Sequence, residues 1–434
     1  MWNKLRRSLP LQLIVAAFSA WLLATIVTSL FFPSFNDSIG ADSNITHQGW
    51  YQIVMLGKTV YIGLLKMVVG IMVMLSLIEG ISNIGSVVRL KAMGARTLLF
   101  YSFTTLLAIS LGLGASLLLP AWQPLMAAPP SADGLTLISE QSASGSAIAV
   151  KLLNMALINP VAALASGNLL AIVVFAFMLG IALLVSLPSN HPLFELIKGL
   201  NRGINTLVGG IVRMSPLAIF AIVFEFTVAG SDALFGQLAM FALLVLVLTL
   251  VHGGVVLPSI AYAVTGIKPF ELFRAISSPL MMALVTSSSA AALPLAMRSA
   301  ETELGVSSST SSMVLPLGSV MNMDGTALFE GVAAIFLAQL FGIDLTTSGL
   351  VMIFIMAMVS SVGAPGMPSG SMSGMQLVLL AAGIPLEAIA ILLIIERPLD
   401  TFRTAVNVEG DLVAALVVDQ WGAEKDKPRL AHVI

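Results

Sequence analysis

In "GSVMNMDGTALFEG", residues 318–331, four polar side chains stand in an otherwise apolar segment: Asn322, Asp324, Thr326 and Glu330. An aspartate facing lipid or a dry core without a partner costs several kcal/mol, so something must compensate it. A second set lies in "ERPLDTFRTAVNVEGDL", residues 396–412. Asp400, Arg403 and Thr404, Asn407 and Asp411 recur there at spacings of three and four. On a helix they form one polar stripe roughly 16 Å long, which in a bilayer must face protein or water. Asp400 and Arg403, one turn apart, offer opposite charges to a zwitterion. Asn322, Asn407 and Asp411 supply hard oxygens, and an unwound turn near Gly318 would add a carbonyl, a set that suits Na⁺. Two plainer readings stay open. An i,i+3 salt bridge explains Asp400 and Arg403 but leaves Thr404, Asn407 and Asp411 unexplained, and an aspartate that titrates a proton would serve in place of a metal site.

Two further stretches are apolar yet broken midway: "LVTSSSAAALPLAM", 284–297, and "SSVGAPGMPSGSMSG", 360–374. Irregular backbone at membrane depth is tolerated only where protein or water satisfies it. Half-helices meeting at such a break expose free N–H groups at one end and free C=O groups at the other, ends that suit a carboxylate and a cation respectively.

The chain that must position these groups has 434 residues, 58% hydrophobic and 10% charged, with a mean hydropathy of +1.00. That composition belongs to a polytopic membrane protein. Apolar runs of about 20 residues favour helices over a barrel. A net charge of −2 gives no reason to expect nucleic acid. The absence of cysteine excludes disulfides, thiolate metal sites and cysteine nucleophiles. His47, His191, His252 and His432 are scattered and form no ligand spacing.

Apolar spans are expected near 11–32, 51–80, 97–120, 157–187, 203–230, 236–265, 311–341 and 386–418. The first reads as a retained transmembrane helix, because its 22-residue run is too long for a signal-peptide core and no A-x-A site follows. Lys4, Arg6 and Arg7, then Arg89, Lys91 and Arg96, Lys198 and Arg202, Lys268 and Arg274, Arg298, and finally Lys425, Lys427 and Arg429 alternate with loops 33–50, 121–150 and 231–235, which carry no Lys or Arg. Eight spans with both termini cytoplasmic satisfy the positive-inside rule. The broken stretches, about 270–300 and 345–383, must then enter and leave on one side, the first from the cytoplasm and the second from outside. Ser288 precedes Asn322 by 34 residues and Gly366 precedes Asp400 by 34, so each unit is a broken hairpin followed by a polar helix, as in inverted repeats.

These motifs, "NMDGT" at 322–326, "SSSAAALP" at 287–294, "SVGAPGMPSG" at 361–370 and "DTFRTAVNVEGD" at 400–411, resemble the dicarboxylate/amino-acid:cation symporter family, which includes glutamate transporters and archaeal aspartate transporters. The resemblance is clear over about 195–420. It implies an all-α protein of eight transmembrane helices and two re-entrant helical hairpins, working as a homotrimer of elevator-type transporters. On that division, residues 1–90 hold scaffold spans one and two, 91–120 span three, 121–232 scaffold spans four and five, 233–423 the rest of the moving transport domain, and 424–434 a cytoplasmic tail. By matched motif, Asp400 would hold the substrate ammonium and Arg403 its side-chain carboxylate. Ser288, Ser289, Thr326, Thr404 and Asn407, with hairpin backbone around Gly366 and Met367, would complete the site. One sodium site would use Gly318, Asn322, Asn407 and Asp411; a second Tyr101, Thr104, Thr105, Asn322 and Asp324; a third backbone at Ser361, Val362 and Ala364 near Met323. The chain departs from many relatives where they carry an extra arginine: it has Ser287 and Thr401 there, with Arg397 as the nearby spare, and it also departs at Val320, Pro365 and Ser369.

The expected function is therefore secondary active symport of an acidic amino acid such as aspartate or glutamate, driven by Na⁺ or H⁺, in a bacterial inner membrane, with no cofactor beyond the coupling ion and with lipid as its surroundings. Asp400 disfavours plain C4-dicarboxylates, which have no amino group. Arg403 disfavours small neutral amino acids, because an unpaired buried guanidinium is costly. A longer polar amino acid, cystine included, stays open. An intramembrane enzyme would need a nucleophile motif, and neither G-x-S-x-G nor the aspartyl G-x-G-D is present. A channel would need rings of like charge, whereas here an Asp and an Arg sit together.

Overall fold

The computed structural model describes residues 9–31, 48–82, 94–124, 150, 153–154, 156–188, 190–228, 232–363, 371–384 and 388–422. Their regular structure is helical, without strands. In chain order the helices are α1 (Leu9–Phe31), α2 (Gly49–Ser82), α3 (Ala95–Leu118), α4 (Pro160–Ser166), α5 (Leu169–Ser186), α6 (Pro192–Val212), α7 (Ser215–Val228), α8 (Asp232–Val251), α9 (Leu257–Thr265), α10 (Pro269–Thr286), α11 (Ser289–Thr302), α12 (Ser308–Met321), α13 (Asp324–Leu340), α14 (Thr347–Gly363), α15 (Ser371–Ala382) and α16 (Ile389–Gly422).

Among the described residues five helical stretches are long and apolar enough to cross a bilayer: Leu11–Ser29, Gly49–Ser82, Ala95–Leu118, Ala233–Thr265 and Ser308–Leu340; the pair α6 and α7, bent by 41°, makes a sixth. The protein is thus an all-helical, polytopic membrane protein. The expected span 157–187 is split, because Gly167 ends α4 in the left-handed conformation (φ 73°) and Asn168 restarts the chain by accepting from Ala171 N. The expected span 203–230 begins earlier, at Pro192, and bends at Arg213–Met214, where Pro216 follows without an N–H to donate. The last expected span is the full 34-residue α16, whose charged stripe keeps it from reading as apolar.

The spans at 236–265 and 311–341 hold local irregularities. Five residues, His252–Val256, form a π turn between α8 and α9, with Gly253, Gly254 and Pro258 at hand to loosen the ladder. Between α12 and α13 the backbone leaves the helix at Asn322 (φ −120°, ψ 93°) and Met323 (φ −123°, ψ 53°). The two broken stretches of the sequence are helical pairs: α10 packs along α11, and α14 along α15. Ser287, in the left-handed region at φ 51°, ends α10, and the Ser288 side chain caps α11 by accepting from Ala291 N.

Helices α1, α2, α5, α6 and α7 pack on one another, while α3 and α10 to α15 gather around α13 and α16. Nearly every residue of α13 is buried, as is the run from Arg403 to Val418 on α16. Helices enclosed on all sides can carry polar groups only where partners meet them.

Candidate functional site

The interruption of the helix at 322–323 brings α12 and α13 against α16. An α-helix starts with N–H groups that have no intrahelical partner. At α13 one of these, Gly325 N, donates to Asn407 Oδ1 on α16 at 2.8 Å. The Asn407 amide nitrogen faces Thr326 Oγ1 at 3.3 Å and Met323 Sδ at 3.2 Å. Asn407 is therefore a cap supplied from another helix, and it fixes the break against the polar stripe. The approach is close enough to require glycine. A Cβ on Gly325 would lie 2.9 Å from the Arg403 carbonyl oxygen and 3.0 Å from its Cα, both backbone atoms that cannot swing away.

Asn322, fully buried, donates from Nδ2 to Asp411 Oδ1 at 2.9 Å, while its Oδ1 is buried without a hydrogen-bond partner. Gly318 lies one turn earlier, where a Cβ would strike Asp411 Oδ1 and the Tyr101 hydroxyl. Asn322, Asp411, Gly318 and Tyr101 thus converge on one spot. An orphaned amide oxygen beside a carboxylate fits a hard cation that would travel as a co-substrate. Tyr101 also donates to Val314 O at 2.9 Å.

Asp324 answers the cost raised at the outset with Thr105, which the resemblance grouped with it around an ion, and with His252, which the sequence left unassigned. The protein supplies two partners of its own: Thr105 Oγ1 donates to Asp324 Oδ1 at 2.6 Å, and His252 Nε2 lies 3.1 Å from Asp324 Oδ2. Hydrogen bonds to a charged group are worth roughly 1.5–3 kcal/mol each, comparable to the burial cost. His252 comes from the π turn and is itself fully buried. Glu330, the other acid of the segment, accepts from Ser360 Oγ of α14 at 2.9 Å. Thr104 Oγ1 turns back to the Tyr101 carbonyl at 3.2 Å.

Towards the start of the stripe, charges of both signs crowd together. Arg403, fully buried, directs Nη2 to Asp400 Oδ1 (3.3 Å), Glu396 Oε1 (3.3 Å) and Ser371 Oγ of α15 (3.2 Å). Its guanidinium carbon lies 3.9 Å above the Phe329 ring centroid, a cation–π arrangement. Arg397 Nη1 sits 3.6 Å from Asp400 Oδ2. The plain i,i+3 salt bridge is therefore present, but within a larger cluster. Glu396 and Asp400 both meet Arg403 at Nη2, while its Nε and Nη1 are buried without a hydrogen-bond partner, so the guanidinium is paired on one nitrogen and open on two.

The remaining expected residues are placed as follows. Thr404 is buried on the turn of Asp400 and Asn407. Ser288 caps α11 and Ser289 is buried at its first turn, with α11 packed on α16. Ser361 Oγ donates to its own helix at Met358 O, 2.8 Å away, and Val362 is half-buried beside it. Ala364, Gly366 and Met367 lie outside the described residues. Glu396, Ser371, Phe329 and His252 were missed by sequence. Glu396 carried a signal, since it extends the stripe by one more spacing of four before Asp400. His252 carried none, because its partner lies 72 residues away.

Residues 9–421 match the profile of the Sodium:dicarboxylate symporter family. Among curated proteins the chain is 33% identical over 404 residues to the neutral amino acid transporter B(0) of Oryctolagus cuniculus, covering 85% of this chain and 74% of that protein. It is 32% identical over 384 residues to the proton/glutamate-aspartate symporter of Escherichia coli (strain K12), covering 85% of each. Excitatory amino acid transporter 4 of Rattus norvegicus is 36% identical over 294 residues, 67% of this chain and 52% of that protein.

Proposed function

The chain belongs to the sodium:dicarboxylate symporter family, a family of transporters and not of enzymes, and on that premise we propose that it takes up an acidic amino acid such as aspartate or glutamate, coupled to inward movement of Na⁺ or H⁺. The observation that carries this reading is the charge cluster on α16. Asp400 would hold the substrate ammonium, and the Arg403 guanidinium, one turn on, its side-chain carboxylate. Thr326, Thr404 and Asn407 would complete the pocket, with Ser288, Ser289, Gly366 and Met367 as further contacts by the family's pattern; Asn407 Nδ2 lies 3.3 Å from Thr326 Oγ1. The buried oxygens of Asn322 and Asp411 next to Gly318, with Tyr101, Thr104, Thr105 and Asp324 alongside, favour Na⁺ over H⁺, since such a set needs no proton.

In the bilayer the chain would make eight spans and two re-entrant hairpins, α10–α11 and α14–α15, with both termini cytoplasmic in a bacterial inner membrane. The packing of α1, α2, α5, α6 and α7 together, and of the other helices around α13 and α16, supports a scaffold and a moving domain of an elevator-type homotrimer. A second reading, a neutral amino acid as substrate, is favoured by Glu396, which already balances Arg403. Both are tested by one experiment. Purified protein in liposomes is given labelled aspartate or serine under an imposed Na⁺ gradient, an H⁺ gradient, or neither. Concentrative aspartate uptake driven by Na⁺ is expected. Uptake undiminished in Na⁺-free buffer under a pH gradient reverses the ion assignment, serine uptake without aspartate uptake selects the second reading, and no gradient-driven uptake of either sinks both.

A further inference from the structure

Helix α8, the π turn and α9 all pack on α16. Along that seam three buried side-chain atoms have no hydrogen-bond partner: Thr249 Oγ1, His252 Nδ1 and Glu409 Oε1. Glu409 is the costliest of the three. It is 3% exposed, and among the described residues no basic side chain pairs with it. A carboxylate enclosed at membrane depth must be balanced by something. The expected sodium ligands include Asp324 and Asp411 and leave Glu409 out. It stands two residues from both Asn407 and Asp411, about 200° around the helix from either, and so faces the other side of α16.

The π turn fixes what the carboxylate meets there. A Cβ on Gly253 would lie 3.0 Å from Glu409 Oε2 and 2.7 Å from Val406 Cγ2, so glycine is what lets the turn come this near. Thr249 is four residues before Gly253, on the same face, and is 1% exposed. Its hydroxyl and the Glu409 carboxyl do not bond to each other. A proton on Glu409 would remove the charge and leave Thr249 Oγ1 as it is. A cation serves both, because a carboxylate and a hydroxyl are hard oxygens that one ion takes together. Single π turns also recur at functional sites.

We propose that Glu409 and Thr249, against the π turn, form a further site for a monovalent cation, separate from the ions expected at Asn322, Asp411 and Asp324. The inference goes beyond the symport reading, since it concerns how many cations the native protein holds and not which amino acid it carries.

The test is thermal melting of the purified full-length protein in detergent, from Na⁺-free buffer upwards, at fixed pH and with choline chloride holding the ionic strength constant. A ligand bound only by the native state stabilises it in proportion to the logarithm of its concentration above Kd, so the slope of Tm against log Na⁺ counts bound ions. Glu409→Gln keeps the shape of the side chain and removes its charge. Its slope is expected to be shallower than the parent's by one ion's share. Thr249→Val keeps the carboxylate and removes one oxygen, and should need about tenfold more Na⁺ for that same share. Parallel curves for the parent and Glu409→Gln overturn the proposal, because a neutral carboxyl or a merely structural role shifts melting alike at every Na⁺ concentration. If the Gln variant does not fold, Thr249→Val with the parent's Na⁺ dependence overturns it instead. A parent whose melting ignores Na⁺ overturns this site and the Na⁺ assignment together, whereas steep parallel curves overturn this site alone.

Discussion

Replacing Arg403 by cysteine should produce two separable losses. The guanidinium is fully buried and lies within 3.3 Å of both Glu396 and Asp400, so its removal leaves two buried carboxylates with reduced counter-charge. Breaking a buried pair from one side costs about 3–5 kcal/mol. For a large domain, at ~2 °C per kcal/mol, melting should fall on the order of 6–10 °C. The second loss is in binding. A substrate carboxylate that reaches Arg403 must displace Glu396 rather than water, so the net interaction is near one charge-assisted hydrogen bond, about 1.5–3 kcal/mol. Aspartate affinity should drop about 10- to 150-fold, at ~1.4 kcal/mol per decade. Serine affinity should change little. The stability loss is partly reversible by a second change, because Arg403→Cys with Glu396→Gln removes one of the two stranded charges, while Asp400 keeps Arg397. The assay is thermal melting of purified protein in detergent, with aspartate and serine titrations on the parent, both single variants and the double variant. The expected melting order is parent, then double variant, then Arg403→Cys. Should Arg403→Cys melt with the parent, or the double variant melt no higher than Arg403→Cys, the charge cluster does not hold Arg403 as described. Aspartate binding within about threefold of the parent would remove Arg403 as the carboxylate partner.

Asp400→Asn should weaken acidic and neutral amino acids by the same factor, tenfold or more, because all share the ammonium; displacement assays with aspartate and serine read the ratio. Gly318→Ala places a methyl against Asp411 and Tyr101 and should blunt the dependence of substrate affinity on Na⁺ concentration, measured by titrating Na⁺ at fixed aspartate, more than it alters affinity at saturating Na⁺. Cysteines introduced at the exposed Gln123 and Glu303 in this naturally Cys-free chain should react with an impermeant maleimide from outside and from inside respectively, and labelling of Glu303→Cys from outside would reverse the orientation of the α10–α11 pair.

The helices and both broken pairs were legible in the sequence because their causes are local. The serine cluster at 287–289 and the glycine–proline run at 363–368 interrupt apolar stretches at places that hydropathy alone finds, and α10–α11 and α14–α15 run close to the expected limits. The bend before Pro216 and the split at Gly167 are also local, but an apolar window slides over a one- or two-residue break without registering it. The partners inside the site were less legible. Spacing put Asp400, Arg403, Asn407 and Asp411 on one face, yet it could not say that His252 would reach Asp324 or that Ser371 would reach Arg403, since those meetings depend on how helices distant in sequence pack. The stripe was begun one step late for a different reason. Glu396 was passed over as a flanking charge, so the sharing of Arg403 Nη2 between Glu396 and Asp400 was not foreseen.

The π turn at His252–Val256 allows one transmembrane rod to serve two cores. Leu234, Leu238, Phe241, Val245 and Leu248 are buried on one face of α8 and belong to the larger apolar cluster, whereas Leu257 and Ala261 of α9 belong to the other. A continuous α-helix turns 100° per residue, so an inserted residue changes which face follows the buried stripe. The wide turn makes that change, in effect one surplus residue absorbed without interrupting the rod. Deleting a glycine from the turn would therefore do more than shorten the span. It would rotate everything on one side of the deletion by about 100° against the other, so that either His252 lost Asp324 or the α9 face lost its cluster, and the two halves could not both be in register.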